Sequence, residues 1–506
     1  MKNIKILIIT LLTLIGIGAC TDLDEKLGGE LNAEQALELT SAKQFLNSAY
    51  VALQTFESQE QPWALQEHTA DGVMGPTRGG DWDDNGIWRQ LQEHKWNAGH
   101  KFVEDTYNTL SNGVFQSIQA ISFDPSVSEE AQAQFLLAWF VFSLNDLYGQ
   151  VPIREAGEDL REPSRVLTRQ EAIDMVISLL ETALPNLAPS GGDPSIANQG
   201  SARALLAKAY LNKPVYLAAS PAGPYDFTSA DMDKVIENIN GITGYDIEDD
   251  YFNNFSVLNA TSTENIFVSK HVRNEPGGGV RTRWHMTLHY NHNPSGWNGF
   301  TTLSDFYNKF DDPNDVRLGG DYPNLTEISG LKIGFLLGQQ YDKDGNKLKD
   351  RLGNDLSYTL ESPIISSGSN LEITGIRALK YAPDYDAPGF ENPENDYVLL
   401  RYGDALLMKA EALLRKGDAA GGLAIVNDLR DARGVAPLGV LDENAMIDER
   451  ARELWWEGWR RQDLIRFGKY LDAWNEKDAS GEERLLFPIP TIALSSNPNL
   501  VQNPGY

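Results

Sequence analysis

The stretch "NDYVLLRYGDALLMKAEALLRKGDAAGGLAIVNDLRDARG", Asn395 to Gly434, decides the fold. Apolar and small residues recur at helical spacing as far as Lys416, and Gly417 supplies a stop. Ala405, Ala410 and Ala412 are small enough for a second helix backbone to approach closely. A second helix follows with Leu423, Val426 and Leu429 on one face, and it ends at Gly434. "AMIDERARELWWEGWRRQDLIRFGKYLD", Ala445 to Asp472, continues the pattern with a break near Gly458. Helix–turn–helix pairs of roughly tetratricopeptide length cannot bury their apolar faces alone and must stack.

The first half reads the same way. Ser41 to Leu53 places Phe45, Ala49 and Ala52 on one helical face. Glu129 to Tyr148, with acids at its start and Gly149 after its end, carries two apolar stripes. Phe135, Trp139 and Phe142 form one; Leu136, Phe140, Leu144 and Leu147 form the other, so this helix must be covered on two sides. Ala172–Leu184 and Ala202–Leu211 predict two more helices. Residues 60–100 and about 214–396 differ: they are rich in Gly, Asn, Pro, Asp and aromatics, with little helical period. "YDKDGNKLKDRLG", Tyr341 to Gly353, has hairpin turn chemistry. So long an irregular stretch points to function more than to linkage. The expected fold is mainly α: a tetratricopeptide-like α-α superhelical scaffold at about 31–213 and 397–475. A loop-rich insert with short β-hairpins, about 214–396, lies over one face, and a tail spans 476–506.

The N-terminus carries its own message. Lys2 and Lys5 precede an apolar run from Ile6 to about Ile17, too short to span a bilayer, and "GAC" brings small residues directly to Cys20. This resembles a bacterial lipoprotein signal, residues 1–19, with Cys20 as the lipidated first residue of a single domain, 20–506. Cys20 is the only cysteine of the 506 residues, so lipidation explains a thiol without a disulfide partner in an exported chain. Two or more acyl chains anchor stably where one does not. The acidic "TDLDEK" that follows resembles the surface-export signal of Bacteroidota-type lipoproteins.

Removing Lys2 and Lys5 takes the charge from −29 to −31. Such an acidic body is a poor nucleic-acid binder, because phosphate contacts need clustered Lys and Arg. With 41% hydrophobic and 10% aromatic residues it has material for a large core, which argues against disorder.

The C-terminal segments "ERARELWWEGWRRQDLIRFGKY" (Glu449–Tyr470) and "LLFPIPTIALSSNPNLVQNPGY" (Leu485–Tyr506) resemble the signatures of SusD/RagB-type outer-membrane lipoproteins. "LLRYGDALLMKAEAL", "IVNDLRDARG" and "FSLNDLYGQVPI" match that family's helices as well. The resemblance implies a cell-surface protein for nutrient uptake that binds oligosaccharide without catalysis. It also implies delivery of the ligand to a SusC-like TonB-dependent transporter.

A sugar ring presents an apolar face to a flat aromatic and a rim of hydroxyls to Asn, Asp, Arg or His. Two clusters fit. In "DGVMGPTRGGDWDDNGIWRQLQEHKW" the candidates are Trp82, set in a Gly- and Asp-rich loop, with Asp71, Arg78 and Trp88. In "RTRWHMTLHYNHNPSGWNGF" they are Trp297, between Gly296 and Asn298, together with Trp284, His285, Tyr290 and Asn298. Trp139, Trp455, Trp456 and Trp459 lie on helical stripes and are expected in the core. Arg460, Arg461, Asp463 and Arg466 are expected to form ion pairs.

Three other readings compete. A glycoside hydrolase needs two carboxylates about 5–9.5 Å apart, which sequence cannot reveal. His285, His289 and His292 at i, i+4 and i+7 would face a zinc ion on a helix, but Asn291, Asn293 and Pro294 argue against a helix there. The same fold could carry peptide, protein or another nutrient. "DKDGN", Asp342 to Asn346, opens like a calcium loop but lacks the Glu at position twelve, so a plain turn is expected there. No cofactor is expected, and structural calcium has no motif in its favour.

Overall fold

The computed structural model describes residues 41–506 except 80, 156, 157, 160, 365, 366 and 369. The signal segment and Cys20 lie outside the described residues. Ala42–Tyr506 forms one unit. Helices α1 (Ala42–Ala52), α2 (Lys101–Ser122), α3 (Val127–Tyr148), α4 (Arg169–Ala183), α5 (Gln199–Leu217) and α6 (Ser229–Asn240) stack in chain order. The stack continues from α6 onto α7 (Tyr402–Arg415), and α8 (Ala419–Ala432) and α9 (Glu443–Leu454) pack on α7. α10 (Arg460–Arg466) follows α9. The protein is therefore a mainly α, tetratricopeptide-like superhelix.

Local signals set the helix ends. Ser126 with Glu129, Thr168 with Glu171 and Asn198 with Ser201 make reciprocal capping boxes. Gly149 closes α3 at φ 69°. α3 is buried on both sides, as its two stripes demand: Phe135, Leu136, Trp139 and Phe140 all lie in the core. Gly113 of α2 permits this closeness, because a Cβ there would meet the Phe140 ring at 2.5 Å.

The scaffold runs further than the expected boundary at 213. α5 continues through Pro214, with Val215 and Tyr216 buried, and α6 buries Met232, Val235 and Ile239. A proline usually ends a helix, whereas here tertiary packing carries the last turn past it.

The insert is mainly irregular, with short strands. β1 (Asn265–Ser269) pairs antiparallel with β4 (Tyr397–Arg401), and β2 (Ile333–Leu336) pairs with β3 (Arg377–Leu379). The Tyr341–Gly353 segment forms two Asp-stabilised turns. Asp342 accepts from the N–H groups of Asp344 and Asn346 at 2.9 Å each, and Asp350 accepts from those of Leu352 at 2.9 Å and Asn354 at 2.8 Å.

A buried ion network fastens insert to scaffold. Arg401 reaches Glu264 and Glu453 at 2.6 Å and Glu457 at 2.8 Å. Arg433 joins Glu264 at 3.0 Å to Glu453 at 2.8 Å. Arg317 joins Asp315 at 2.8 Å, Glu449 at 2.7 Å and Glu453 at 3.0 Å. Charges this deep are tolerable only when each is mutually compensated, so the network locks one relative placement of the segments that carry it.

Among the described residues no helix is long and apolar enough to cross a membrane.

Candidate functional site

Two loops far apart in sequence meet at one surface. The Met74 backbone pairs with Thr301 and the Thr302 backbone with Ile376, so the 70s loop, the 285–302 loop and β3 are stitched together. The 285–302 loop closes on itself: Trp297, Asn298 and Gly299 donate backbone N–H groups to His285, Leu288 and Met286, each at 2.7 Å.

Trp82 stands on this junction in a left-handed backbone conformation, φ 63°. Its indole N–H donates to the Trp297 carbonyl at 2.8 Å, and the two rings lie 6.5 Å apart at 54°. Below it the aromatic packing continues through Phe300 at 5.4 Å and Trp88 at 6.0 Å. Gly299 makes room for it, since a Cβ there would fall 2.2 Å from the Trp82 ring. Trp297 is 50% exposed and has His285 against its ring at 4.7 Å. Burial, with Arg281 adding to it, pushes the His285 imidazole down to about 4, so it is neutral at pH 7. Tyr290 is half-buried and carries the Arg351 guanidinium over its ring at 4.0 Å. Arg351 in turn pairs with Asp81 at 2.7 Å and with Glu372, whose other oxygen takes His289 at 2.9 Å.

Beneath lies a pedestal of two buried arginines. Arg78 donates to the Asn298 and Gly299 carbonyls and to the Thr374 carbonyl at 2.7 Å. Arg377 donates to the Asn298 side-chain oxygen at 2.7 Å and to the carbonyls of Thr374, Gly375 and Glu372. Burial pushes Arg78 down well below its ordinary value and Arg377 down to about 10.

Of the nine expected contact residues, Trp82, Trp297, Tyr290 and His285 are at least partly exposed; the first two and His285 come together, and Tyr290 is linked to them through Arg351 and Asp81. The other five are buried. Asp71 is taken by Arg460, with oxygens at 2.6 and 2.8 Å, because α10 needs a counter-ion there. Arg78 and Asn298 build the pedestal. Trp88 lies under Trp82 and donates its N–H to Asp84 at 2.9 Å, and Trp284 is wholly in the core. These five support the surface and do not form it.

Trp139, Trp455 and Trp456 are in the core and Trp459 is half-buried under Lys208 at 3.7 Å. Arg460, Arg461 and Arg466 form buried ion pairs with Asp71, Asp146 and Glu411. His289 and His292 are buried in a non-helical turn, and His292 Nδ1 accepts the His289 backbone N–H at 3.0 Å, so the i, i+4, i+7 face does not form. Arg351, Glu372 and Arg377 escaped the sequence reading. Arg351 lies 21 residues from Glu372 and 270 from Asp81, and Arg377 lies 79 from Asn298, so no local pattern announces the contacts that join them to the site.

The fold is a tetratricopeptide-like superhelix that carries an aromatic surface over a buried arginine pedestal. The SusD family model matches residues 244–483, which span most of the insert and the C-terminal scaffold. Starch-binding protein SusD of Bacteroides thetaiotaomicron is 38% identical over 125 residues, a stretch that is 22% of either chain, so the chain matches under a quarter of that relative's length. A SusD superfamily protein from Parabacteroides distasonis superposes with a TM-score of 0.70 at 19% identity, over 94% of this chain and all of that one. A laminarin-binding SusD-like protein gives 0.69 at 20% identity, over 92% and 99%. At such identities the two solved structures show the fold. The likeness to the SusD family thus spans residues 244–483, just under half of the chain, and the solved SusD superfamily structures share its fold.

Proposed function

We propose that the protein is a cell-surface lipoprotein that binds oligosaccharide on the Trp82–Trp297–Tyr290 face and passes it, unchanged, to a SusC-like TonB-dependent transporter. The observation that carries this reading is Trp297, held half-exposed beside Trp82 over the Arg78–Arg377 pedestal. A single ring hiding about 50 Å² of apolar sugar contributes roughly 1.2 kcal/mol. Binding between ~1 mM and ~1 μM needs about 4–8 kcal/mol. The Trp82–Trp297 pair, with Tyr290 joined to the same surface through Arg351 and Asp81 and with hydroxyl acceptors such as Asp81, reaches the lower end of that range, and one ring does not. Starch and laminarin binding in similar proteins support the ligand class. The signal-like segment 1–19 and Cys20 support the anchor, and the family likeness supports the transporter.

The test is calorimetric titration with a panel of oligosaccharides, using wild type, Trp82→Ala and Trp297→Ala, with product analysis of the same mixtures. Binding lost in both variants with no product formed supports the proposal. Full binding by both variants, or turnover of the glycan, overturns it.

A further inference from the structure

We infer that the Trp82–Trp297 face selects neutral glycans and turns away polyanionic ones, an inference that rests on the glycan-binding reading above. Recognition of a carboxylate or sulfate ester calls for a cation whose N–H fork is free to take it. Among the described residues around this face, Arg351, Arg89, Arg281, Lys347 and Lys349 reach the surface and each has a carboxylate partner. Arg351, 46% exposed, is held between Asp81 and Glu372, so one positive charge stands between two negative ones. Arg89 pairs with Asp83 at 3.5 Å, next to the exposed Asp84. Arg281 pairs with Glu391 at 2.8 Å. In the neighbouring hairpin Lys347 and Lys349 share Asp355.

Beneath the rings the cations face inward. Arg78 and Arg377 are buried, and their N–H groups go to the carbonyls of Asn298, Gly299, Thr374, Gly375 and Glu372 and to the side chains of Asn298 and Thr374. His285, against the exposed indole, is uncharged at neutral pH. The outer groups beside the rings are therefore acceptors: Asp81 is 50% exposed and Asp84 is exposed as well. Carboxylates accept from sugar hydroxyls and repel uronates and sulfates. The formal charge of −29 extends the same sign over the whole chain.

The experiment is calorimetric titration of the full soluble chain with two sets of oligosaccharides of matched length, neutral hexose oligomers and oligouronates or sulfated oligomers. It is run at ~50 mM and ~500 mM salt on wild type, Trp297→Ala and the combined Asp81→Asn, Asp83→Asn, Asp84→Asn variant. The inference expects neutral binding that is lost in Trp297→Ala and changes less than about twofold with salt, because uncharged ligands are not screened. Anionic ligands should bind at least about tenfold more weakly, improve as salt rises, and gain on wild type in the triple-Asn variant. Anionic binding that depends on Trp297 and weakens with salt would overturn the inference while keeping the site. Absence of binding by every member of both sets would overturn the glycan reading and this inference with it.

Discussion

Gly299 is the most direct handle on the platform. Its φ lies outside the left-handed region, so alanine is acceptable to the backbone and the effect of Gly299→Ala is purely steric. The new methyl would lie 2.2, 2.5 and 2.6 Å from Cζ2, Cε2 and Cη2 of Trp82, all under the distances that real Cβ atoms reach. Those atoms belong to a rigid bicycle packed on Phe300 and Trp88, so the ring must swing outward as a unit. Overpacking of this kind costs about 1–3 kcal/mol, and loss of the Trp82 N–H bond to the Trp297 carbonyl adds about 1 kcal/mol. One ring leaving the platform removes roughly 1.2 kcal/mol of binding, which is about an eightfold rise in Kd. The assays are urea denaturation for stability and calorimetry for ligand affinity. If Gly299→Ala keeps both within about twofold and 0.5 kcal/mol of wild type, Trp82 does not depend on this contact and the packing argument fails.

Other consequences follow from the same structure. Trp297→Ala removes a half-exposed ring and should leave stability within about 0.5 kcal/mol while costing at least about eightfold in affinity, so a large fall in Tm would mean the indole is structural. Arg433→Met strips a cation from Glu264 and Glu453 and should lower unfolding free energy by about 3–5 kcal/mol in urea; a loss under about 1 kcal/mol would show that the network is slack. Burial opposes ionisation of Glu449 and Asp404, yet Arg317, Arg452 and Arg430 hold Glu449 down at about 2, and Lys208 and Arg450 hold Asp404 down at about 2. Depressed carboxylates stabilise the fold above their unfolded values of about 4.5 and 3.8 and lose that contribution as pH falls towards 2, so thermal melts should shift downward steeply across that window. A Tm flat from pH 5 to 2.5 would contradict the assignment. Mass spectrometry of the mature protein should find Cys20 as the acylated N-terminal residue, and an unmodified thiol would remove the anchor.

How much of this the sequence discloses depends on the range of each interaction. The helices of the scaffold were legible because end signals and apolar stripes are local: the acids at the start of α3, Gly149 after its end and its two apolar faces belong to one helix. α6 was missed although Met232, Val235 and Ile239 make a helical stripe, because the irregular texture after Pro214 masked it. The loop tryptophans were separable from the helical ones by their Gly, Asp and Asn neighbours, and Trp82 and Trp297 do meet at the surface. What composition could not tell apart was a polar residue facing ligand from one holding the loop. Asp71, Arg78 and Asn298 sit beside the aromatics in sequence, but their partners Arg460, Thr374 and Arg377 come from distant segments. Arg351 on Tyr290 is the converse case, a surface contact made by a residue from another loop.

A crystal structure of the protein with a bound neutral oligosaccharide would show where the sugar sits. The expected result is a pyranose ring stacked on the Trp297 indole, with Trp82 and Tyr290 flanking it and Asp81 within hydrogen-bond reach of a hydroxyl. A sugar lodged elsewhere on the chain, with Trp297 untouched, would contradict it.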